Sequence, residues 1–428
     1  MRNPPGVIAC RIVFGLLLMT VFNGCSAPQR RTASHSPHHA FIVYWPPADN
    51  SGRLRVAVKD LIDMKGVVTT AGSAYLAKNA PPAKRDAKCL RIARSRNVQF
   101  VGKTNLSEFA VAPSGMNQYF GTPRNPIVRH RRLIPGGSSS GSAVAVERGL
   151  ADIAIGTDTA GSVRVPAACC GIVGLKTTFG LVPLDGVYPV EPDHLDTVGP
   201  MGKDVAHVVQ GMDLLQGGFA ARYKAAVGAR PLAKSIRIGR LYLSGTDPKT
   251  DRAVDDALSK TGFRVVRLDD AFKAKWAQAQ TDGNTVAATG AWLSDRKFTT
   301  ETGIGVITKA IVTLGKIEYT TSYRNALARQ AEWQRELRRV FKAVDFIALP
   351  TLQRMPPKIP FFGGSALFEA LVLGLQNTSA VNFAGNPALA MPVPVPDEDV
   401  PVASLQLVGP RLSEAQLLNA GRLIEARH

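Results

Sequence analysis

Long apolar runs are scarce in this 428-residue chain, and Ile12–Phe22 (IVFGLLLMTVF) is shorter than the roughly 20 residues a membrane-spanning helix needs. With 45% hydrophobic and 20% charged residues, the composition indicates neither a polytopic membrane protein nor a disordered chain. The five cysteines make no disulfide framework. Cys10 and Cys25 fall in the N-terminal segment. The other three, Cys89, Cys169 and Cys170, are odd in number, and adjacent cysteines bond only with strain, so buried free thiols are expected. Histidine is scarce as well. Those that follow the central Gly/Ser loops, His194, His207 and His428, sit in no motif, so a serine nucleophile would lack its usual base. Acids are outnumbered, 33 against 52 bases, giving a net charge of +19. Such a balance favours acidic partners. No basic block or aromatic–basic motif accompanies it, and runs such as Arg30-Arg31 and Arg129–Arg132 are short. The reading is a solvated basic surface and no nucleic-acid partner.

What is present begins with an address. Arg2 and Arg11 flank the start of the apolar run, which ends in Phe22-Asn23-Gly24-Cys25. A small residue before a cysteine at that place resembles the bacterial lipobox. Residues 1–24 are then expected as a lipoprotein signal peptide, with Cys25 as the lipid-bearing N-terminus. Ser26, where an Asp would argue for inner-membrane retention, points to the outer membrane, facing the periplasm. Residues 25–51 are polar and Pro-rich and are expected to form a flexible tether. His35, His38 and His39 are read as part of that tail, with no metal site.

Residues 52–428 are expected to form one domain. Leu54–Val58 alternates like a strand, with Lys59 and Asp60 at its end. Lys84–Asn97 has helical spacing, and Val98–Val101 reads as a short strand closed by Gly102. A Gly/Ser-rich loop, Pro135–Ser142, opens onto a helix, Ala143–Arg148. Ala151–Ile155 is a strand leading into a polar turn, Gly156–Ser162. Asp204–Leu215 and Glu318–Ala343 read as helices, Phe346–Leu349 as a strand and Leu412–Ala426 as a closing helix. This alternation predicts an α/β fold with one mixed or largely parallel sheet.

Two Gly/Ser loops within 37 residues, PGGSSSGSAVAV (135–146) and GTDTAGSVRVPAACCG (156–171), exceed what a core requires. Glycine loops bring backbone N–H groups close to a ligand and can stabilise an oxyanion. Phosphate binding fails, because Ser162 stands where the lysine of a P-loop belongs. A nucleophile elbow at Gly137–Gly141, with Ser139 reacting, lacks the strand before it and a later base.

Several segments in order support a third reading. Val58-Lys59-Asp60, Thr69–Ser73, Gly102–Asn105, Phe120–Pro126, Leu195–Pro200, Ala348–Thr351 and Asn382–Ala388 accompany the two loops. Together they resemble the amidase signature family, over about residues 52–428 and most weakly over 216–320. The resemblance implies one domain with a large mixed sheet covered by helices on both sides. It also implies a Ser-cisSer-Lys triad: Ser162 as nucleophile, Ser138 as the cis-serine that relays the proton, and Lys59 as base. The backbone N–H groups of Thr159, Ala160, Gly161 and Ser162 match the oxyanion hole. A lysine can serve as base only when neutral, which burial promotes. Asp158 and Arg164 are expected to brace the loop as an ion pair.

Ala160 replaces a glycine found in many relatives, and the long helix that often precedes the lysine strand is missing. The compact length, with Tyr119–Pro126 and Gly136–Val146, most resembles plant indole-3-acetamide amidohydrolases. The function implied is hydrolysis of a small-molecule carboxamide, without metal or organic cofactor, and a homodimer is left open. The rival readings are a catalytically silent envelope lipoprotein that binds amides and a glutaminase-type amidotransferase subunit.

Overall fold

Short runs of β-branched and alternating apolar residues become strands, and the longer periodic segments become the helices that cover them. The computed structural model describes residues 36–47, 52–128, 130–230, 232–396 and 398–428. Its strands are β1 (Phe41–Tyr44), β2 (Arg55–Lys59), β3 (Gln99–Thr104), β4 (Ile153–Asp158), β5 (Val173–Lys176) and β6 (Thr197–Gly202), followed by β7 (Arg237–Arg240), β8 (Arg264–Arg267), β9 (Phe346–Pro350), β10 (Ala388–Pro394) and β11 (Val402–Val408). They form one 11-stranded sheet in the order β1-β3-β2-β4-β6-β5-β10-β11-β9-β7-β8. Pairing is parallel in two wings, β3-β2-β4 and β9-β7-β8. Every other neighbour is antiparallel. The sheet is therefore mixed, and not largely parallel.

The helices that matter for the site are α1 (Ser140–Glu147), α2 (Arg164–Cys170), α3 (Val205–Leu215), α4 (Asp270–Asp295), α5 (Val306–Thr321), α6 (Tyr323–Ala343), α7 (Ala366–Gly374), α8 (Ser379–Ala384) and α9 (Glu414–Glu425). Strand alternation sorts the core. Val56, Val58, Ile153 and Ile155 pack with Val208 and Met212 of α3 and Leu417 of α9. Ala57 and Ala154 look the other way, against Val144 of α1 and Ala167 of α2. Small alanines on that face let α1 and α2 lie close to the sheet, and Lys59 shares the parity of Ala57. In the far wing, Ile347 and Leu349 pack against Trp276 of α4, Trp333 of α6 and Phe383 of α8. Each large apolar side chain buried in this way stabilises the fold by about 1.5–3 kcal/mol.

Three sequence expectations need correction. Part of the supposed tether is structural: β1 pairs antiparallel with β3, and Phe41 is fully buried. Lys84–Asn97 is not one helix. Ala87 and Lys88 donate their N–H groups to the carbonyls of Asp63 and Asp185, and only Arg91–Ser95 closes α-helical turns. Glu318–Ala343 spans two helices broken at Ser322, where the Thr320 and Thr321 hydroxyls bond to the carbonyls of the preceding turn. Cys25, Cys10 and His35 lie outside the described residues. Among those described, no helix is long and apolar enough to cross a membrane.

Candidate active site

Backbone freedom comes first. Gly161 has φ +132°, and a Cβ there would stand 2.3 Å from Thr378 Oγ1; a Cβ on Gly137 would stand 2.5 Å from the Ala112 carbonyl oxygen. Only glycine fits either place. The Gly137–Ser138 peptide is cis. The segment before it fixes this loop, because Gly137 N–H donates to Pro113 O at 2.8 Å and Ser107 N–H to Ser138 O at 3.3 Å. Ser139 N–H then donates to the carbonyl of Ser162 at 3.1 Å, tying the two Gly/Ser loops together.

Lys59 is fully buried, and its Nζ lies 2.7 Å from Ser138 Oγ and 2.8 Å from Thr157 Oγ1. Burial lowers its pKa from 10.5 to about 7, although the Asp158 and Asp196 carboxylates pull the other way. No carboxylate lies within ion-pair distance of Nζ among the described residues. Close to neutral pH this amine can hold or release a proton, and it touches one serine hydroxyl.

The second loop is held from beneath. Asp158 accepts from the N–H groups of Gly161 at 2.8 Å and Val163 at 3.1 Å, and pairs with Arg164 at 2.9 Å, both side chains fully buried. Burial works to raise the Asp158 pKa. Arg164, Lys176 and Asn382 outweigh it and hold this carboxyl well below its usual range. Arg164 reaches on to the Thr378 carbonyl and to Gln406 Oε1, pinning the loop to the sheet. Asp196 accepts from Thr159 Oγ1 at 2.6 Å and from the N–H groups of Val190 and Glu191. The Ala160 carbonyl accepts from Thr378 Oγ1 at 2.5 Å and Ser379 Oγ at 3.3 Å. The Ala160–Gly161 peptide is thus fixed at both ends.

This network bears on each expected residue. Lys59 and Ser138 are in direct contact. Half-buried Ser162 joins this loop through its carbonyl, which accepts from Ser139 N–H. The Asp158–Arg164 pair braces the loop, as its residue types suggest. One expectation fails: the Gly161 N–H is engaged by the Asp158 carboxylate and does not face a ligand. The N–H groups of Thr159, Ala160 and Ser162 have no acceptor among the described residues. The rival Ser139 is fully buried, with its hydroxyl 3.3 Å from the Thr157 carbonyl oxygen. His207 Nδ1 is occupied by Asp204 at 2.7 Å, at the start of α3.

Sequence reasoning gave no role to Thr157, Thr378, Ser379, Asp196 or Asn382. Asp196 and Asn382 fall inside segments it flagged, so a signal existed for them. Thr157, within the second Gly/Ser loop, and Thr378 and Ser379 carry no motif beyond a hydroxyl that turns and caps also use.

The Amidase family model matches residues 54–418. The chain is 32% identical to the glutamyl-tRNA(Gln) amidotransferase A subunit of Natronomonas pharaonis over 90% of this chain and 99% of that protein. It is 34% identical to 2-amino-5-chloromuconic acid deaminase of Comamonas testosteroni over 87% of this chain and 81% of that one. The crystal structure of the glutamyl-tRNA(Gln) amidotransferase A subunit from Thermotoga maritima superposes with a TM-score of 0.73 at 25% identity, covering 90% of this chain and 86% of the other. A mixed sheet carrying two glycine–serine loops over a buried lysine, with a family match along nearly the whole described chain, makes this protein a member of the amidase family, whose enzymes act on the C–N bond of amides.

Proposed function

We propose that this chain hydrolyses a small-molecule carboxamide through an acyl-enzyme on Ser162. The observation that carries the reading is the 2.7 Å contact between the Ser138 hydroxyl and a buried Lys59 amine whose pKa is about 7. Neutral Lys59 accepts the Ser138 proton while Ser138 Oγ takes the proton of Ser162 Oγ, and Ser162 Oγ attacks the carbonyl carbon. Negative charge gathers on the carbonyl oxygen, for which the N–H groups of Thr159, Ala160 and Ser162 are the available donors. The C–N bond then breaks, and the proton returns through Ser138 to the departing nitrogen. Ammonia or an amine leaves. Water, deprotonated along the same path, attacks the ester and releases a carboxylic acid.

The test is ammonia release from a panel of primary amides, indole-3-acetamide and glutamine among them. Release by the wild type and not by Ser162→Ala supports the hydrolase; no release from any amide supports a silent binding protein. Relatives named as amidotransferase subunits favour a second reading, in which glutamine is the amide and a partner receives the ammonia. Glutamine turnover that appears only with partner subunits would select it.

For the N-terminus we propose lipid attachment at Cys25 in a bacterial envelope, supported by the Phe22–Cys25 pattern. Radiolabelled palmitate should enter the wild type and not Cys25→Ser. Equal labelling of both excludes the anchor.

A further inference from the structure

The strongest unexplained surface is the segment 360–371. Gly363 N–H donates to the Pro360 carbonyl at 3.0 Å, closing a turn in which Gly363 has φ +87°. Phe361 and Phe362 form the tip of that turn. They are 89% and 97% exposed, and their rings meet edge to face at 5.1 Å. Helix α7 follows, with Ser365 as its N-cap. A surface helix should be apolar on one face and polar on the other, and α7 is apolar on both. Phe368 and Val372 turn inward against Ile134, Val165 and Cys169. Leu367 and Leu371, one turn apart, face outward at 57% and 56% exposure. Its one acid, Glu369, is buried and accepts from Ser114 Oγ at 2.6 Å and Ser114 N at 3.0 Å. The outer face therefore carries no charge.

Two cations lie beside this apolar tip. Ile359 N–H donates to the Arg132 carbonyl at 2.6 Å, Ile134 N–H to the Pro357 carbonyl at 3.0 Å, and Leu133 bridges Lys358. This short ladder lays the 130–134 segment beside the tip. Arg132 and Lys358 are exposed, and neither has a carboxylate within ion-pair distance among the described residues. Asp399 is taken by Arg131. Paired aromatics on a projecting turn, an uncharged helix face behind them and unpaired cations at the rim are the combination an anionic bilayer surface accepts: rings in the headgroup boundary, cations on the phosphates. A protein partner would more often meet a flatter patch with an anchoring pocket.

We propose that the Phe361–Phe362 turn and the outer face of α7 dock this enzyme onto an anionic lipid surface. The same segment is tied through Glu369 to Ser114, one residue beyond the Pro113 that holds Gly137. Docking therefore brings the Ser138 side of the molecule close to the bilayer.

Co-sedimentation of the full chain with vesicles of phosphatidylcholine containing about one third phosphatidylglycerol tests this, every protein carrying Cys25→Ser so that the lipid proposed there does not itself hold the membrane. The wild type should partition onto them. Phe361→Ser/Phe362→Ser should bind at least roughly ten-fold more weakly while keeping wild-type thermal stability and turnover of a soluble amide. Arg132→Glu/Lys358→Glu should lose the preference for these vesicles over pure phosphatidylcholine. Equal binding by the Phe361/Phe362 variant and the wild type would overturn the proposal, because another part of the chain would then hold the membrane. So would a wild type that ignores both vesicles. A change from oligomer to monomer on Phe361→Ser/Phe362→Ser, seen by light scattering without lipid, would instead make this face a contact between copies of the chain.

Discussion

Lys59→Met should lose activity by about four orders of magnitude or more, yet unfold at higher denaturant concentration than the wild type at neutral pH. The catalytic loss follows from removing the group that, among the described residues, is placed to take the Ser138 proton. The stability gain follows from the cost of burying an amine. A folded-state pKa of about 7 against 10.5 corresponds to about 5 kcal/mol, at roughly 1.36 kcal/mol per pH unit. Losing the bonds to Ser138 and Thr157 returns about 1–3 kcal/mol of that. A net gain of about 2–4 kcal/mol is expected, since methionine has similar length and no charge to desolvate. The sign with pH is fixed. Below pH 7 the lysine is protonated in both states, and the folded wild type bears the whole cost. Between 7 and 10.5 only the unfolded chain keeps the proton, so wild-type stability climbs and the gap to Lys59→Met closes. Parallel denaturant titrations at neutral and alkaline pH measure that gap, and a constant gap would mean that Lys59 is not held neutral. Lys176, also buried with its pKa lowered to about 7, is unchanged in both proteins and cancels.

Ser162→Ala should be as damaging to amide turnover as removing both hydroxyls in Ser138→Ala/Ser162→Ala. In the proposed relay Lys59, Ser138 and Ser162 pass one proton, and members of such a unit are not additive. Loss of Ser162 removes the atom that forms the ester, so nothing remains for Ser138 to serve. Stability should hardly move, because Ser162 is half-buried and its place in the loop is set by its backbone bond to Ser139. Steady-state ammonia release, with urea midpoints as the folding control, reads both quantities. Appreciable turnover by Ser162→Ala would move the nucleophile elsewhere.

Much of this site could be read from residue order, and the rest was hidden for physical reasons. A lysine at the end of an alternating strand reads as a surface cation. Its burial depends on β4 and the two loops closing over it, contacts made by residues roughly 80–100 positions away. The Asp158–Arg164 pair was visible because both partners sit in one loop. The hold of Thr378 and Ser379 on the Ala160 carbonyl was not, since it joins segments more than 200 residues apart through ordinary hydroxyls. Gly161 misled in a specific way: the family resemblance places its N–H in the oxyanion hole beside the proposed nucleophile, but the neighbouring Asp158 captures it. β1 escaped notice although Phe41–Tyr44 are all strong strand formers, because the proline- and histidine-rich residues around them read as a tether.

The rate at which a fluorophosphonate probe labels Ser162 tests whether a neutral lysine activates this serine through Ser138. Across about pH 5 to 9 that rate should rise with pH and be half-maximal near 7, with the adduct mapped to Ser162 and lost in Lys59→Met. A rate independent of pH, or an adduct on Ser139, would contradict it.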